Sequence, residues 1–288
     1  MAGNVPGRRR GAAPRQAADG ARPVPGHPGA LTVVAPPGLP DPVLDLTVVV
    51  PYYNPGPALR STIECAVEVL RATGASFEIV AVSDGSTDGS DASLADVHPD
   101  VVVRVARPHA GKGSAVRAGL ARGRGRYLGF IDGDGDVPPE LLADFVDVVN
   151  ARHPDAVLGS KRHPASQVIY PPARRLYSWG YQQLVRLLFH LDVRDTQAGI
   201  KLVRRDVLAA VLPLMVEDGY AFDLEMLVIA HRLGYHDFVE APVRIGRRFT
   251  STVSRRVVVE MLRDTFAIWR RLRAAAPTPP GGAPAGGG

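Results

Sequence analysis

The chain has 288 residues, of which 45% are hydrophobic and 22% charged, and its formal net charge is +5. This length fits one ordinary domain with tails, and the single cysteine, Cys65, excludes an internal disulfide. No run reaches the roughly 18 apolar residues that a membrane-spanning helix needs, so we expect no span. The basic charge suits nucleic acid, an anionic membrane surface or a phosphorylated small molecule, and does not choose among them.

Both ends of the chain are rich in Pro, Gly and Ala. We predict a disordered N-terminal arm over residues 1–44 and a disordered tail over residues 276–288. The arm lacks the continuous apolar stretch of a secretory signal, so we expect a cytoplasmic location. Between the tails we predict one domain over residues 45–253 and an amphipathic helix over residues 254–275.

Between the tails, short β-branched runs alternate with longer amphipathic runs. This alternation predicts a single α/β domain with a mixed, mostly parallel sheet flanked by helices. In chain order, the expected strands are 46–50, 77–82, 101–106, 126–131 and 156–159, and the expected helices between them are 58–72, 90–97, 114–123 and 138–151. Beyond them we expect a long helix near 173–190, an isolated strand near 200–203 and a helix near 221–233. Ligands bind beyond the carboxyl ends of the strands in such sheets, so chemistry is expected in the turns there.

The strongest local signal is an acidic run directly after a hydrophobic strand. Asp132, Asp134 and Asp136 alternate with glycines, and in extended backbone alternate side chains share a face. Their carboxylates can therefore converge on a hard divalent cation that bridges to a diphosphate. A solvated acidic loop is the alternative. An EF-hand calcium loop fails, because it needs Gly and Glu where Val137 and Ala143 stand.

Two further strand ends run into turns with binding chemistry. Pro51, Tyr53 and Asn54 follow the first strand and offer aromatic rings and amides that could grip a base. Asp84 ends the second strand and could contact a base or a ribose. Asp-Gly-Ser is also a common turn sequence, so neither motif indicates a binding site by itself. The order and spacing of the two motifs make the indication stronger.

A third turn places a lysine at the start of a predicted helix. Lys112 lies between two glycines at the start of the predicted helix, an arrangement suited to anions. A P-loop needs Gly five residues before the Gly-Lys pair and Ser or Thr after it, but Ala106 and Gly113 stand there. The turn is therefore not an ATPase loop.

These three turns, in this order, resemble the family 2 glycosyltransferases of the GT-A fold. Within that family the chain is similar to the dolichyl-phosphate and polyprenyl-phosphate glucosyl- and mannosyltransferases. The resemblance extends from residue 46 to about residue 273. It becomes specific in three runs that look like the family's Gly-Ser-Arg, Asp-Thr-Gln-Cys-Gly-Phe-Lys and Trp-Ala-Phe-Asp-x-Glu stretches, namely residues 159–162, 195–202 and 219–225.

The resemblance implies a role for each matching residue. A nucleotide-sugar donor would be held by eight residues: Pro51, Tyr53, Asn54, Asp84, Lys112, Asp132, Gly133 and Lys201. A cation, Mg²⁺ or Mn²⁺, would be held by Asp132, Asp134 and Asp136, and the acceptor phosphate by Arg162, Arg175 and Ser178. The acceptor arginine could instead be Arg174.

The chain departs from the family pattern at three places. Ser83 precedes Asp84 where the family has paired acids, and Pro55 stands where a Glu is often found. A late Gly-Ser-Lys signature has become residues 250–252, Thr-Ser-Thr. The missing lysine removes a donor-phosphate contact, and the charge could come from Arg247, Arg248 or Arg255.

The resemblance implies an inverting, metal-dependent transfer of glucose or mannose from UDP-glucose or GDP-mannose to a lipid phosphate of the polyprenyl or dolichyl type. Asp134, with the cation, would act catalytically at the leaving diphosphate. An acceptor phosphate is already ionised and needs no strong base. A sugar or glycan hydroxyl would need one, for which Asp223 is our candidate, with a helix-end acid as its alternative role.

The predicted C-terminal helix leaves two interpretations open. Its arginines and apolar residues suit an interfacial helix at the inner face of the cell membrane, and they equally suit a surface helix that packs on the domain. Two competing functions are a nucleic-acid-binding module with basic arms and a catalytically inactive protein that binds nucleotide sugars. The acidic run argues against the first, and we expect no nucleic acid partner.

Overall fold

The computed structural model describes residues 39, 41–99, 102–168, 172–245 and 255–274, without the side chains of residues 172–176 and 255–257. The strands in this part of the chain are β1 (Leu44–Tyr52), β2 (Phe77–Asp84), β3 (Val102–Arg107), β4 (Gly125–Ile131), β5 (Ala156–Ser160), β6 (Gln167–Val168), β7 (Ile200–Arg204), β8 (Phe238–Pro242) and β9 (Arg244–Ile245). The helices are α1 (Ala58–Thr73), α2 (Ser90–Ser93), α3 (Lys112–Leu120), α4 (Leu141–Arg152), α5 (Pro172–Phe189), α6 (Arg205–Val211), α7 (Phe222–Arg232) and α8 (Arg255–Ala274).

Seven of these strands form one sheet in the order β3-β2-β1-β4-β7-β5-β8. Strands β3, β2, β1 and β4 run parallel, and β7 runs antiparallel to both of its neighbours. Apolar side chains cover both faces, since Val48 packs with Leu59 on one side and Val49 packs with Val116 on the other. Burial on both faces explains why the strands read as continuous hydrophobic runs. The predicted fold class, a mixed and mostly parallel sheet flanked by helices, is confirmed.

Strand β7 corrects one expectation, because it is not isolated. It lies between β4 and β5, with Phe130 opposite Lys201 and Leu158 opposite the same lysine on the other side. Gly129 permits this pairing, since a Cβ there would overlap the carbonyl oxygen of Lys201. Periodicity identifies a strand but does not show which distant strand it pairs with.

Several helix boundaries also differ from the prediction, most clearly those of α2 and α3. Helix α2 ends at Ser93, not at residue 97, and the chain continues in turns until His98, whose φ of +39° lies in the left-handed region. Helix α3 begins two residues early, at Lys112, because the carbonyl of Asp218 accepts hydrogen bonds from the first turn. The sequence pattern did not predict strand β8, helix α6 or the two short strands β6 and β9.

Helix α8 packs on the domain along one face. Ile268 and Leu272 are buried, and the Thr265 hydroxyl lies 3.1 Å from the hydroxyl of Tyr181 on α5. Val259 and Phe266, by contrast, are exposed at 64% and 45%. One face of α8 therefore packs on the domain, as one of the two interpretations of this helix expects. Among the described helices, none is long and apolar enough to cross a membrane.

Candidate active site

The polar turns meet at one edge of the sheet, as the sequence predicts. Tyr53, Asp84 and Asp132 come at the carboxyl ends of β1, β2 and β4, which are adjacent and parallel. The strand register places Tyr52 beside Ser83, so the ends of β1 and β2 lie level. Parallel topology therefore brings the three predicted motifs together in the crevice where ligands of such sheets bind.

Asp84 is buried and fixes the loop that follows β3. Its Oδ1 accepts a hydrogen bond from the backbone of Ala110 and its Oδ2 one from Gly111, both at 2.9 Å. The Nδ1 atom of His109 lies 2.9 Å from Oδ2 as well. Only 3% of Asp84 is exposed, so its carboxylate is already largely occupied by its own chain. A contact between Asp84 and a nucleoside stays a prediction.

The turn after β1 exposes a ring and uses its amide internally. Tyr53 is 53% exposed. The side-chain oxygen of Asn54 accepts from the backbone of Thr87 at 2.7 Å, and the backbone N–H of Asn54 donates to Ser86. Asn54 therefore ties two turns together, and its amide oxygen is engaged with the protein.

At Gly133 the acidic turn packs closely against Pro51 at the end of β1. A Cβ at Gly133 would lie 3.0 Å from Val50 Cγ1 and 3.1 Å from the Pro51 carbonyl oxygen, so only glycine fits without displacement. Pro51 is buried at the end of β1. Both residues shape the turn by packing.

The cation at the start of α3 is paired with the first aspartate of the acidic run. Lys112 Nζ lies 2.6 Å from Asp132 Oδ1. Burial lowers the pKa of Lys112, but the negative charges of Asp132 and Asp223 outweigh it, and the net direction is upward. The amides of Gly113 and Ser114 donate to the Asp218 carbonyl, so the ammonium of Lys112, and not these amides, makes the helix start attractive to anions.

The acidic run supplies carboxylates but does not form a closed cage. Among the residues that the structure describes, no three His, Cys, Asp or Glu side chains are grouped so that they could hold a metal ion. The expected convergence of Asp132, Asp134 and Asp136 is therefore not assembled by the protein alone. Asp134 Oδ1 instead accepts from the backbone of Asp136 at 3.0 Å.

Asp134 nevertheless has the chemistry of a cation ligand. Desolvation raises its pKa first, and the negative charges of Asp132 and Asp136 raise it further, partly offset by Lys112. A carboxylate surrounded by like charge gains from a nearby cation. Mg²⁺ is commonly held by one or two carboxylates together with substrate phosphates, so Asp132 and Asp134 fit such an ion. The metal assignment stays a prediction.

A buried ion pair lies behind this surface. Lys201 Nζ is 2.8 Å from Asp223 Oδ2 and donates to the Ala198 carbonyl at 2.8 Å. Lys201 is 0% exposed and Asp223 only 3%. Burial raises the pKa of Asp223, opposed by Lys201 and Lys112. Lys201 thus holds Asp223 in place, and its predicted contact with the donor is not visible in this arrangement.

The acceptor residues are brought together in part. Arg162 Nη1 donates to the backbone carbonyl of Ser178 on α5 at 3.3 Å. The loop before Arg162 is held by Asp195, whose Oδ2 accepts from the backbone of Lys161 at 2.9 Å. Arg175 lies on the same helix as Ser178, and its side chain is outside the described residues, as are residues 247–252.

Glu225 is buried and secures the C-terminal part of the domain. Its carboxylate accepts from the backbones of Val216 and Glu217, at 3.0 Å and 2.8 Å, and pairs with Arg271 of α8. The loop thus fixed presents Asp218 to the start of α3. Glu225 therefore contributes to the site indirectly, by holding the loop that carries Asp218.

Sequence reasoning missed His109. Its ring centroid lies 4.5 Å from that of Tyr53, and its side chain is 59% exposed. The recognisable motif in this turn begins two residues later, at Gly111. A histidine two residues after a strand is a weak signal, because only the folded chain shows that Asp84 and Tyr53 surround it.

The comparisons with known proteins decide the family. Residues 47–212 match the family described as "Glycosyl transferase family 2". The dolichyl-phosphate beta-glucosyltransferase of Drosophila melanogaster is 30% identical over 273 residues, which cover 86% of this chain and 82% of that protein. The chain belongs to glycosyltransferase family 2.

Two further known proteins are similar to this transferase. The undecaprenyl-phosphate mannosyltransferase of Micrococcus luteus is 31% identical over 209 residues, which cover 69% of this chain and 83% of that protein. Glucosyl-3-phosphoglycerate synthase from Mycobacterium tuberculosis, solved with Mn²⁺, UDP-Glc and phosphoglyceric acid, aligns over 82% of each chain with a TM-score of 0.61 and 18% identity. This likeness shows the shared GT-A-like fold. The transferase is a family 2 hexosyltransferase, as the motifs predict.

Proposed function

We propose that this hexosyltransferase moves glucose or mannose from UDP-glucose or GDP-mannose to a lipid phosphate of the polyprenyl or dolichyl type, with inversion at the anomeric carbon. The names of relatives that are about 30% identical support the acceptor, because they specify dolichyl phosphate and undecaprenyl phosphate. The nucleic-acid-binding alternative has no such support.

The state of Asp223 is the observation that carries the proposal. A hydroxyl acceptor must lose a proton, which requires a carboxylate within reach. Asp223 is only 3% exposed, and Lys201 holds its Oδ2 at 2.8 Å. A phosphate acceptor is already ionised near neutral pH, so it makes no such demand. The buried Asp223 therefore favours a phosphate acceptor over a hydroxyl.

The reaction then reduces to positioning and charge. The acceptor phosphate oxygen attacks the anomeric carbon, the bond from that carbon to the diphosphate oxygen breaks, and its electrons leave with the nucleoside diphosphate. Lys112, whose pKa is held up by Asp132 and Asp223 against burial, presents a positive charge near this leaving group. A divalent cation bound at Asp132 and Asp134 would add Lewis-acid stabilisation of the same charge.

The acceptor side has guanidinium groups suited to phosphate. Arg162 lies beside Ser178 at the start of α5, and we assign both, with Arg175, to the acceptor phosphate. Planar guanidinium groups bind phosphate through paired hydrogen bonds, which orients the attacking oxygen. The exposed Val259 and Phe266 on α8 are consistent with contact between this transferase and the cytoplasmic face of a membrane.

Transfer of label tests the proposal directly. Purified protein and membranes are incubated with radiolabelled nucleotide sugars, with and without chelator, and the product is partitioned. We expect label in an organic-extractable, mild-acid-labile product that disappears with chelator. Asp223→Asn should stay partly active, and Arg162→Ala should lose acceptor affinity while the exposed control Arg152→Ala behaves as the wild type. Label confined to the aqueous phase would overturn the lipid acceptor.

A further inference from the structure

The turn after β3 carries an imidazole that no assigned role uses. His109 Nδ1 lies 2.9 Å from Asp84 Oδ2 and 3.1 Å from the Asp84 carbonyl oxygen. Its ring packs on Tyr53 with centroids 4.5 Å apart and planes inclined by 34°. Two half-exposed rings therefore form one aromatic surface at the carboxyl ends of β1, β2 and β3.

The backbone is shaped to admit the histidine. Gly85 has φ +81°, and a Cβ there would lie 2.8 Å from the backbone nitrogen of His109. The neighbouring amides of Ala110 and Gly111 both donate to Asp84. The imidazole therefore lies in a short loop that begins after β3 at Arg107 and is hydrogen-bonded to Asp84 directly after the histidine.

The contacts at Nδ1 determine what the other ring nitrogen can do. Both neighbours of Nδ1 are acceptors, a carboxylate oxygen and a carbonyl oxygen, so Nδ1 carries the proton in the neutral ring. Nε2 is then a hydrogen-bond acceptor. The surface thus combines the Tyr53 ring, which can stack on a base, with one acceptor, Nε2 of His109.

We infer that His109 reads the nucleobase of the donor, with Tyr53 as the stacking partner. The inference rests on the proposed function, because it requires a nucleotide donor at this edge of the sheet. An acceptor at Nε2 pairs with a base that has a ring N–H, which uracil has at N3 and guanine at N1. Cytosine and adenine present an acceptor at those positions, and two facing acceptors repel. His109 therefore selects uracil or guanine over cytosine and adenine.

The position of the pair agrees with this role. Asp132, which is expected to face the diphosphate, lies after β4, on the opposite side of β1 from β2 and β3, and the ammonium of Lys112 reaches it from the start of α3. A nucleotide that spans from His109 to Asp132 would therefore lie across β1. Asp84 acts through His109 as a positioning residue.

Binding of nucleotides without sugar tests the inference separately from turnover. Calorimetry with Mn²⁺ compares UDP, GDP, CDP, ADP and inorganic pyrophosphate on the wild type, His109→Ala, His109→Phe and Tyr53→Ala. The wild type should bind UDP or GDP at least about tenfold more tightly than CDP and ADP. His109→Ala should weaken the preferred nucleotide roughly tenfold and leave pyrophosphate unchanged, because the hydrogen bond to the base is lost. Tyr53→Ala should instead weaken all four nucleotides, because stacking is lost. His109→Phe should keep a ring packed on Tyr53 and lose the discrimination among the bases.

The outcomes separate the inference from the proposed function. If no nucleotide binds the wild type, the proposed donor fails. If the wild type binds but His109→Phe discriminates among the bases as the wild type does, the reading by His109 is wrong. A loss of pyrophosphate affinity in parallel with nucleotide affinity would likewise assign His109 a structural role, and thermal melts of each variant establish that it is folded.

Discussion

Lys201 and Asp223 form a salt bridge in the interior, with 2.8 Å between Nζ and Oδ2 and neither side chain more than 5% exposed. Lys112 and Asp132 form a second pair at the surface of the same region, with 2.6 Å between Nζ and Oδ1. The negative charge of Asp223 also raises the pKa of Lys112. The two pairs therefore interact as one group of alternating charges. The outer pair is partly exposed, and the inner pair is buried.

Lys201→Met should destabilise the fold by about 3–5 kcal/mol, because it leaves Asp223 as an uncompensated buried charge. Urea unfolding monitored by circular dichroism measures the change. Arg60→Ala is the matched control, since the Arg60–Glu64 pair is about 40% exposed on both sides. It should shift the urea midpoint far less than Lys201→Met does, because solvent screens its contacts with Glu64 and Asp96. Equal losses in the two variants would show that burial of the inner pair has no special weight.

Asp134→Asn should lower turnover by about a hundredfold or more, because a neutral amide is a poor ligand for a hard cation. The thermal midpoint should not fall, since the substitution removes a carboxylate whose pKa is raised by desolvation and by Asp132. Assays over a Mn²⁺ titration give the rate. Asp147→Asn, an exposed acid on α4, serves as control and should behave as the wild type. Unchanged metal dependence in Asp134→Asn contradicts the cation site.

Lys112→Met should raise the KM for the donor by about tenfold or more, through loss of a positive charge beside the diphosphate. The same change leaves Asp132 without its partner, so binding of Mn²⁺ without nucleotide should become tighter. Lys112→Arg keeps the charge and should restore part of the donor affinity. A donor KM that does not respond to Lys112→Met would separate this lysine from the donor.

Glu217→Gln should stabilise the protein at neutral pH and not at acid pH. Burial, followed by the nearby charges of Asp264, Glu225 and Asp218, raises the pKa of Glu217 above its ordinary value of 4.5. The folded state then binds more protons than the unfolded state between the two values, so stability falls as pH rises through that window. Glutamine removes this loss. Thermal melts should show the gain at neutral pH shrinking to nothing below pH 4.5.

Gly129→Ala should destabilise the sheet by about 1–3 kcal/mol or more, because a Cβ on β4 would overlap the backbone of β7 at Lys201. Gly180→Ala on α5 is the opposite case, since a Cβ there meets nothing within 4 Å. It should be neutral or stabilising by up to about 1 kcal/mol. Guanidinium unfolding of both variants measures the difference. Similar midpoints would mean that β4 and β7 are less closely paired than the structure shows.

Local pattern predicted much of the parallel half of the fold. The strands around Val48, Ile79 and Phe130 are read directly from apolar runs, since helices cover both faces of the sheet. The carboxyl ends of parallel strands meet at one edge of the sheet, so the sequence alone predicts Tyr53, Asp84 and Asp132 at that edge. The family, too, followed from motif order.

The sequence by itself determined which chemical groups this transferase has and at which edge of the sheet most of them lie, because short-range periodicity and turn composition encode strands and their ends. Only the tertiary structure decided which groups are exposed and which are buried against each other. Lys201 and Asp223 are 22 residues apart and pair in the interior, whereas His109 emerges beside Tyr53. Burial and long-range pairing depend on how distant segments pack, and no local pattern records that.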